Sequence, residues 1–327
     1  MDQIDFDGQV VIVTGGGAGL GRAYCRELAR RGASVLVNDI DGLSADAVVR
    51  EIVSAGGRAA ASVASVGTPA GGARVVEDAL DAYGRLDAVI NNAGILRSSP
   101  FEELTRDEID SVIDVNVRGA FHVTQPAWRV LKRQGYGRVV LTSSAAGLFS
   151  RPGSVSYSAS KAAMYGMARA LSFEGAPHDI KVNVVLPRAA TAITVGNEVA
   201  GPAEGRTAEV SAALAARRAP ELSAPLVCWL ASRACSVSGE AYSSAYGRYA
   251  RVFVGLTPGW LADDPAAISV EDVSRELDAI RDVTGYVIPQ GNAAEVDHIV
   301  GMLGFDTTHL PLARCDESHS PQGTSGV

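Results

Sequence analysis

No stretch of this sequence reaches the roughly 18 consecutive apolar residues that a membrane helix requires, and no basic-then-apolar leader opens it. A membrane partner is therefore not expected. Basic residues are also in deficit, with 29 Lys and Arg against 37 Asp and Glu and a net charge of -8, so the clustered positive charge that binds nucleic-acid phosphates is missing. Cys25, Cys228, Cys235 and Cys315 form no C-x-x-C pair, which argues against both a disulfide framework and a zinc knuckle and fits a reducing, cytoplasmic setting. His122, His178, His298, His309 and His319 lack metal-ligand spacing, and no metal is expected.

What is present is a foldable globular composition, 47% apolar and 20% charged over 327 residues, enough for one large domain with an extension. Short β-branched runs at 9–15, 33–39, 57–63, 86–92, 138–144 and 180–187 alternate with longer helical patterns. That alternation predicts an α/β fold, a doubly wound and mostly parallel Rossmann-type sheet. The runs are nearly continuous in apolar residues, as strands covered on both faces should be. GEAYSSA at 239–245 adds a seventh candidate strand. The domain is expected over 1–249 with a flap at 191–219, followed by an extension packed on it at 250–310 and a small, polar, disordered tail at 311–327.

TGGGAGLG at 14–21 follows a strand and opens a helix. Gly15, Gly17, Gly19, Leu20 and Gly21 can thus present backbone N–H groups and a positive helix end to a pyrophosphate. Asp39, at the end of the second strand, can accept hydrogen bonds from an adenosine ribose. A 2′-phosphate would face Asp39 and Asp41 with no Arg or Lys in VNDIDG to receive it, which favours NAD over NADP.

YSASK places Tyr157 and Lys161 four apart at the head of a predicted helix, on one face. A free phenol, with a pKa of about 10, is a poor base at neutral pH. An ammonium about 4 Å away at an effective dielectric of about 20 is worth roughly 4 kcal/mol, or up to about three pKa units. Ser144 falls at the carboxyl end of the fifth strand, the edge where open α/β sheets bind ligands.

Taken together, TGGGAGLG, NNAG (91–94), Asn116, SSAAG (143–147) and YSASK resemble the short-chain dehydrogenase/reductase family over residues 6 to 245. The resemblance implies that Ser144 steadies the substrate oxygen and that Tyr157 exchanges its proton. It implies that Lys161 holds the nicotinamide ribose and lowers the tyrosine pKa, and that Asn116 positions a relay water. It also extends the cofactor site to Ser65, Val66, Asn92, Ala93, Gly94, Pro187 and Thr191, and implies a homodimer or homotetramer. GAGLGRAY, VND, NNAGIL, YGRVVLTSSA and SAPLVCWL are similar, more narrowly, to the (3R)-hydroxyacyl-CoA dehydrogenase domains of peroxisomal multifunctional enzymes. The substrate implied is a hydrophobic secondary alcohol or ketone, such as a 3-hydroxyacyl-CoA or a steroid. An idle NAD-binding sensor is the competing reading.

Three departures stand out. VASV puts Ala64 and Ser65 where the family has an adenine-contacting acid, which predicts weaker NAD binding; Arg188 follows Pro187 where a glycine is usual; and SAYGRY (244–249) replaces the usual D-G-G.

Overall fold

A computed structural model describes residues 3–150, 152–190 and 207–305. Eight strands form one sheet: β1 (Val10–Thr14), β2 (Ser34–Asn38), β3 (Arg58–Ser62), β4 (Ala88–Asn91), β5 (Gly137–Thr142), β6 (Ile180–Arg188), β7 (Ala241–Ala245) and β8 (Arg248–Val252). Their spatial order is β3-β2-β1-β4-β5-β6-β7-β8, parallel throughout except for β8. The expected parallel sheet is present with one strand more than the seven anticipated. The extra strand is made by a hairpin: Tyr246 and Gly247 both take positive φ (59° and 82°), the geometry of the tight turns that join twisted antiparallel strands. β8 therefore runs across the expected boundary at residue 249, and the chain divides into compact units after Val252 instead.

Twelve α-helices follow among the described residues. They are α1 (Gly19–Arg30), α2 (Gly42–Ser54), α3 (Pro69–Tyr83), α4 (Arg106–Ile113), α5 (Gly119–Gln134), α6 (Ala145–Phe149), α7 (Val155–Gly175), α8 (Ala208–Ala215), α9 (Ala224–Ala231), α10 (Val270–Arg275), α11 (Leu277–Arg281) and α12 (Asn292–Met302). Side chains alternate across a strand, so β1 feeds two cores. Val11 and Val13 pack with Tyr24 and Leu28 of α1 and Leu230 of α9, while Val10 and Ile12 join the opposite cluster with Leu131 of α5 and Met164 of α7. Each fully buried Val, Leu or Ile contributes about 1.5–3 kcal/mol. α1 ends with Arg31 at the cap and Gly32 in the left-handed region at φ 97°, a conformation glycine adopts without a Cβ penalty.

Strand order reverses between β1 and β4, which leaves a crevice outside their carboxyl ends. Because α7 returns antiparallel to the strands, its first turn, carrying Tyr157, opens onto that same edge. The second unit, from Phe253, holds α10 to α12; a bridge pairs Leu256 with Val287, and the rings of Phe253 and Tyr286 stack with centroids 5.8 Å apart. No described helix is long and apolar enough to cross a membrane, and no group of three metal-ligating side chains occurs among the described residues.

Candidate active site

The glycine turn is shaped by its neighbours. Gly15 takes φ 61°, and a Cβ there would sit 2.9 Å from the Cα of Ala93, so the turn admits no side chain. Asn92, directly after β4, braces it: its Nδ2 donates to the carbonyls of Thr14 (3.0 Å) and Gly15 (3.1 Å). Thr14 returns the favour, its Oγ1 accepting the backbone N–H groups of Asn92 and Ala93, both at 3.0 Å. Asn92 thus supports the turn with its side chain, while Ala93 and Gly94 present backbone to the crevice. α1 starts at Gly19, followed by a half-buried Leu20, and its cap, Ala18, has no side-chain partner for the first N–H groups. Those exposed donors and the positive helix end suit a pyrophosphate.

Asp39 follows β2, half-buried. Its Oδ2 accepts the N–H of Gly17 at 3.0 Å and its Oδ1 that of Asp41 at 3.1 Å, so the carboxylate is fixed against the glycine turn. Ala64, Ser65 and Val66 come after β3, and the carbonyls of Ala64 and Val66 are already engaged, by Asn38 Nδ2 (3.0 Å) and the His122 ring (2.9 Å). Pro187 lies one residue before the end of β6. Thr191 and most of the expected flap lie outside the described residues.

The other group gathers around α7. Lys161 is 4% exposed, and its Nζ donates to the carbonyl of Thr142 at 2.9 Å and sits 5.8 Å from the centre of the Tyr157 ring. Burial pulls its pKa down to about 8, because an ammonium loses hydration there. In the structure Lys161 titrates close to neutrality, so its help to Tyr157 depends on pH.

Asn116 occupies a π-helical turn, Asp114–Arg118, between α4 and α5. The extra residue in that turn interrupts the regular ladder, a feature common at functional sites. Its Oδ1 accepts from the N–H of Ile95 (2.8 Å), while Nδ2 donates to the Ile95 carbonyl (2.9 Å) and to Ser160 Oγ (2.9 Å). The Ser160 hydroxyl in turn donates to the carbonyl of Tyr157 at 2.7 Å, which ties the π-turn to α7. Ser144 caps α6, its Oγ accepting from the N–H of Ala146 at 3.2 Å. α6 lies so close to α7 that a Cβ on Gly147 would be 2.8 Å from the backbone of Lys161 and Ala162.

A small cavity of about 10 Å³, room for one water, is lined by Asn116, Lys161, Thr142, Asn91, Ala93 and Met164, among others. Thr142 Oγ1, buried, has no partner there. A Cβ on Gly94 would meet Asn116 Oδ1 and Lys161 Nζ, both at 3.1 Å, so the crevice beside the glycine turn and the Asn116–Lys161 cluster are contiguous. The braced glycine cradle, the fixed Asp39 and the unfilled polar groups fit a dinucleotide. Thr14, Thr142 and Ser160 were not singled out in the sequence; a lone Thr or Ser carries no spacing signal.

Comparison with known proteins gives the same direction. The short chain dehydrogenase family model matches residues 9–200. A peroxisomal multifunctional enzyme type 2 from Mus musculus is 40% identical over 98% of this chain and 43% of its own length. A short-chain type dehydrogenase/reductase from Mycobacterium tuberculosis is 37% identical over 85% of this chain and 95% of its own. A 3-oxoacyl-[acyl-carrier-protein] reductase from Thermotoga maritima is 35% identical over 55% of this chain and 74% of its own. The chain spans less than half of the mouse relative. Among solved structures, a short chain dehydrogenase from Mycobacterium avium superposes with TM-score 0.71 and 34% identity, covering 85% of this chain and 97% of that one.

Proposed function

The chain belongs to the short-chain dehydrogenase family, and from that premise we propose that it interconverts a hydrophobic secondary alcohol and its ketone with NAD as redox partner. The observation that carries this reading is the buried Lys161 ammonium under the Tyr157 ring, in a cavity shared with Asn116. Held by the glycine cradle and Asp39, NAD would supply the hydride acceptor for the alcohol's oxidation and, in its reduced form, the hydride donor for the ketone's reduction. The protein's part is to hold the substrate oxygen and move one proton. Ser144 Oγ steadies the oxygen. Tyr157 Oη takes the hydroxyl proton in oxidation and gives it back in reduction. Lys161 favours the phenolate while charged, and Asn116 with the unpartnered Thr142 hydroxyl orders the water that re-supplies the proton.

NAD rather than NADP is supported by the Asp39 carboxylate fixed beside Gly17. A 2′-phosphate would add two negative charges against it with no Arg or Lys between Val37 and Gly42. A 3-hydroxyacyl thioester is the substrate class we favour, because relatives are named for 3-oxoacyl reduction and for a hydratase-dehydrogenase-epimerase. A homodimer or homotetramer belongs to the same reading.

Tyr157→Phe tests it. With NAD and 3-hydroxyacyl-CoA, the variant is expected to bind NADH normally and to lose at least about 100-fold in kcat, the usual contribution of a general acid–base group. Retention of more than about a tenth of the wild-type rate would remove Tyr157 from the proton's path.

A further inference from the structure

At the far end of the sheet from Tyr157, a second cavity of about 340 Å³ opens at the amino-terminal edge of β4, β5 and β6. It is lined by Arg85, Gln134, Tyr136, Arg138, Asp179 and Arg233. None of these residues has a part in the chemistry above, and a strand of this length separates them from it by about 20 Å.

Its charge is unbalanced. Arg85 pairs with Asp87 at 2.7 Å, and Arg138 and Lys181 share Asp179 at 3.4 and 3.5 Å. Arg233 brings a further cation, for which no carboxylate partner occurs among the described residues. Four cations thus face two carboxylates, in a protein whose net charge is -8. Moreover, Arg138 and Arg233 crowd one aromatic ring, their guanidinium carbons 4.4 and 5.6 Å from the centre of Tyr136. The ring's negative face attracts each guanidinium, but two like charges over one ring repel each other.

The site is also built. Arg138 is 2% exposed, and its donors are aimed by the backbone: Nε to the Ser232 carbonyl (3.1 Å), Nη1 to the carbonyls of Gly137 (2.9 Å) and Asp179 (2.7 Å). Asp179 adopts the left-handed region at φ 49°, sparsely used by residues other than glycine, and from there its carbonyl oxygen receives Arg138. Gln134 is clamped to both backbone groups of Leu86. Of the Arg138 donors only Nη2 is left unspent by the backbone, so Arg138 can give an anion a single fixed charged donor, and the exposed Arg233 guanidinium beside it supplies the fork that recognises phosphate oxygens. The volume lies in the range of small-molecule sites.

We propose that this cavity binds a small phosphate-bearing molecule, with Arg138 and Arg233 as its ligands and the Tyr136 ring as its floor. The site is separate from the glycine cradle, and its occupancy does not depend on the proposed reaction.

Isothermal titration of the full chain tests the proposal, with NADH saturating so that the glycine turn is already filled. Inorganic phosphate and glycerol 3-phosphate are the probes, at ionic strength held constant with chloride. Saturable binding at a dissociation constant below about 1 mM is expected. Arg233→Ala, at an exposed position, should weaken it at least 10-fold with kcat unchanged, and Arg233→Lys, which keeps the charge but loses the fork, should weaken it less. Absence of saturable binding, or equal binding by wild type and Arg233→Ala, overturns the assignment, the second result by locating the anion elsewhere.

Discussion

Lys161 combines full burial with a charge, and that pairing has a measurable cost. Its folded pKa of about 8 lies below the ordinary value of 10.5, so the sign follows from proton counting. Below about pH 8 the side chain is charged in both folded and unfolded chains, and the desolvation penalty is fully present. Between about pH 8 and 10.5 the unfolded chain holds a proton that the folded one has released, so stability rises with pH through that window. Lys161→Met removes the titration while keeping the stem. In urea denaturation of the cofactor-free protein at pH 7 and pH 9.5, wild type should gain stability relative to Lys161→Met at the higher pH. Parallel behaviour of the two proteins would mean that the ammonium is better solvated than its 4% exposure implies. The sequence made the Tyr157–Lys161 pairing visible through the four-residue spacing. It could not reveal the burial, which comes from Thr142 and Met164 closing over the amine.

Helices α6 and α7 illustrate how an element sets the geometry of a site. SSAAG is legible as a motif, but the reason for its glycine is a packing contact between two helices. A methyl on Gly147 would press at 2.8 Å on the backbone of Lys161 and Ala162, which has no side chain's freedom to move aside. Gly147→Ala should therefore push α6 off α7 and carry Ser144 away from the Tyr157 turn. Overpacking of this kind costs about 1–3 kcal/mol. We expect that loss in urea unfolding, together with at least a tenfold fall in kcat; a variant with wild-type stability and rate would show that the helices separate freely. The π-turn at Asp114–Arg118 was illegible for a related reason. One inserted residue barely disturbs the apolar periodicity of the helices on either side, so Asn116 was found through family resemblance and its anchoring by Ile95 and Ser160 only in the structure. β8 was missed because RYARV reads as a short polar run, and pairing with β7 through the Tyr246–Gly247 turn is what makes it a strand.

At the scale of the whole molecule, the sheet was legible because its central strands β1, β2, β4 and β5 are buried on both faces and so read as nearly uninterrupted apolar runs. The extension was not, since the sequence beyond 252 carries no motif and its described helices, α10 to α12, are short. The structure nonetheless supplies a physical boundary. Both hydrophobic clusters draw all their buried members from residues before Val252, and every described residue of the glycine cradle and of the Tyr157 cluster lies there too. The first unit therefore owns both hydrophobic clusters and every described residue of the candidate site. A chain ending at Gly255, which keeps the β7–β8 hairpin intact, should unfold cooperatively and bind NADH. Bound NADH should raise its midpoint of thermal unfolding, since a ligand at 100 times its dissociation constant adds about 2.7 kcal/mol to the folded state. A truncated chain that unfolds without a cooperative transition, or that gains no stability from NADH, would show instead that residues beyond 255 complete the domain.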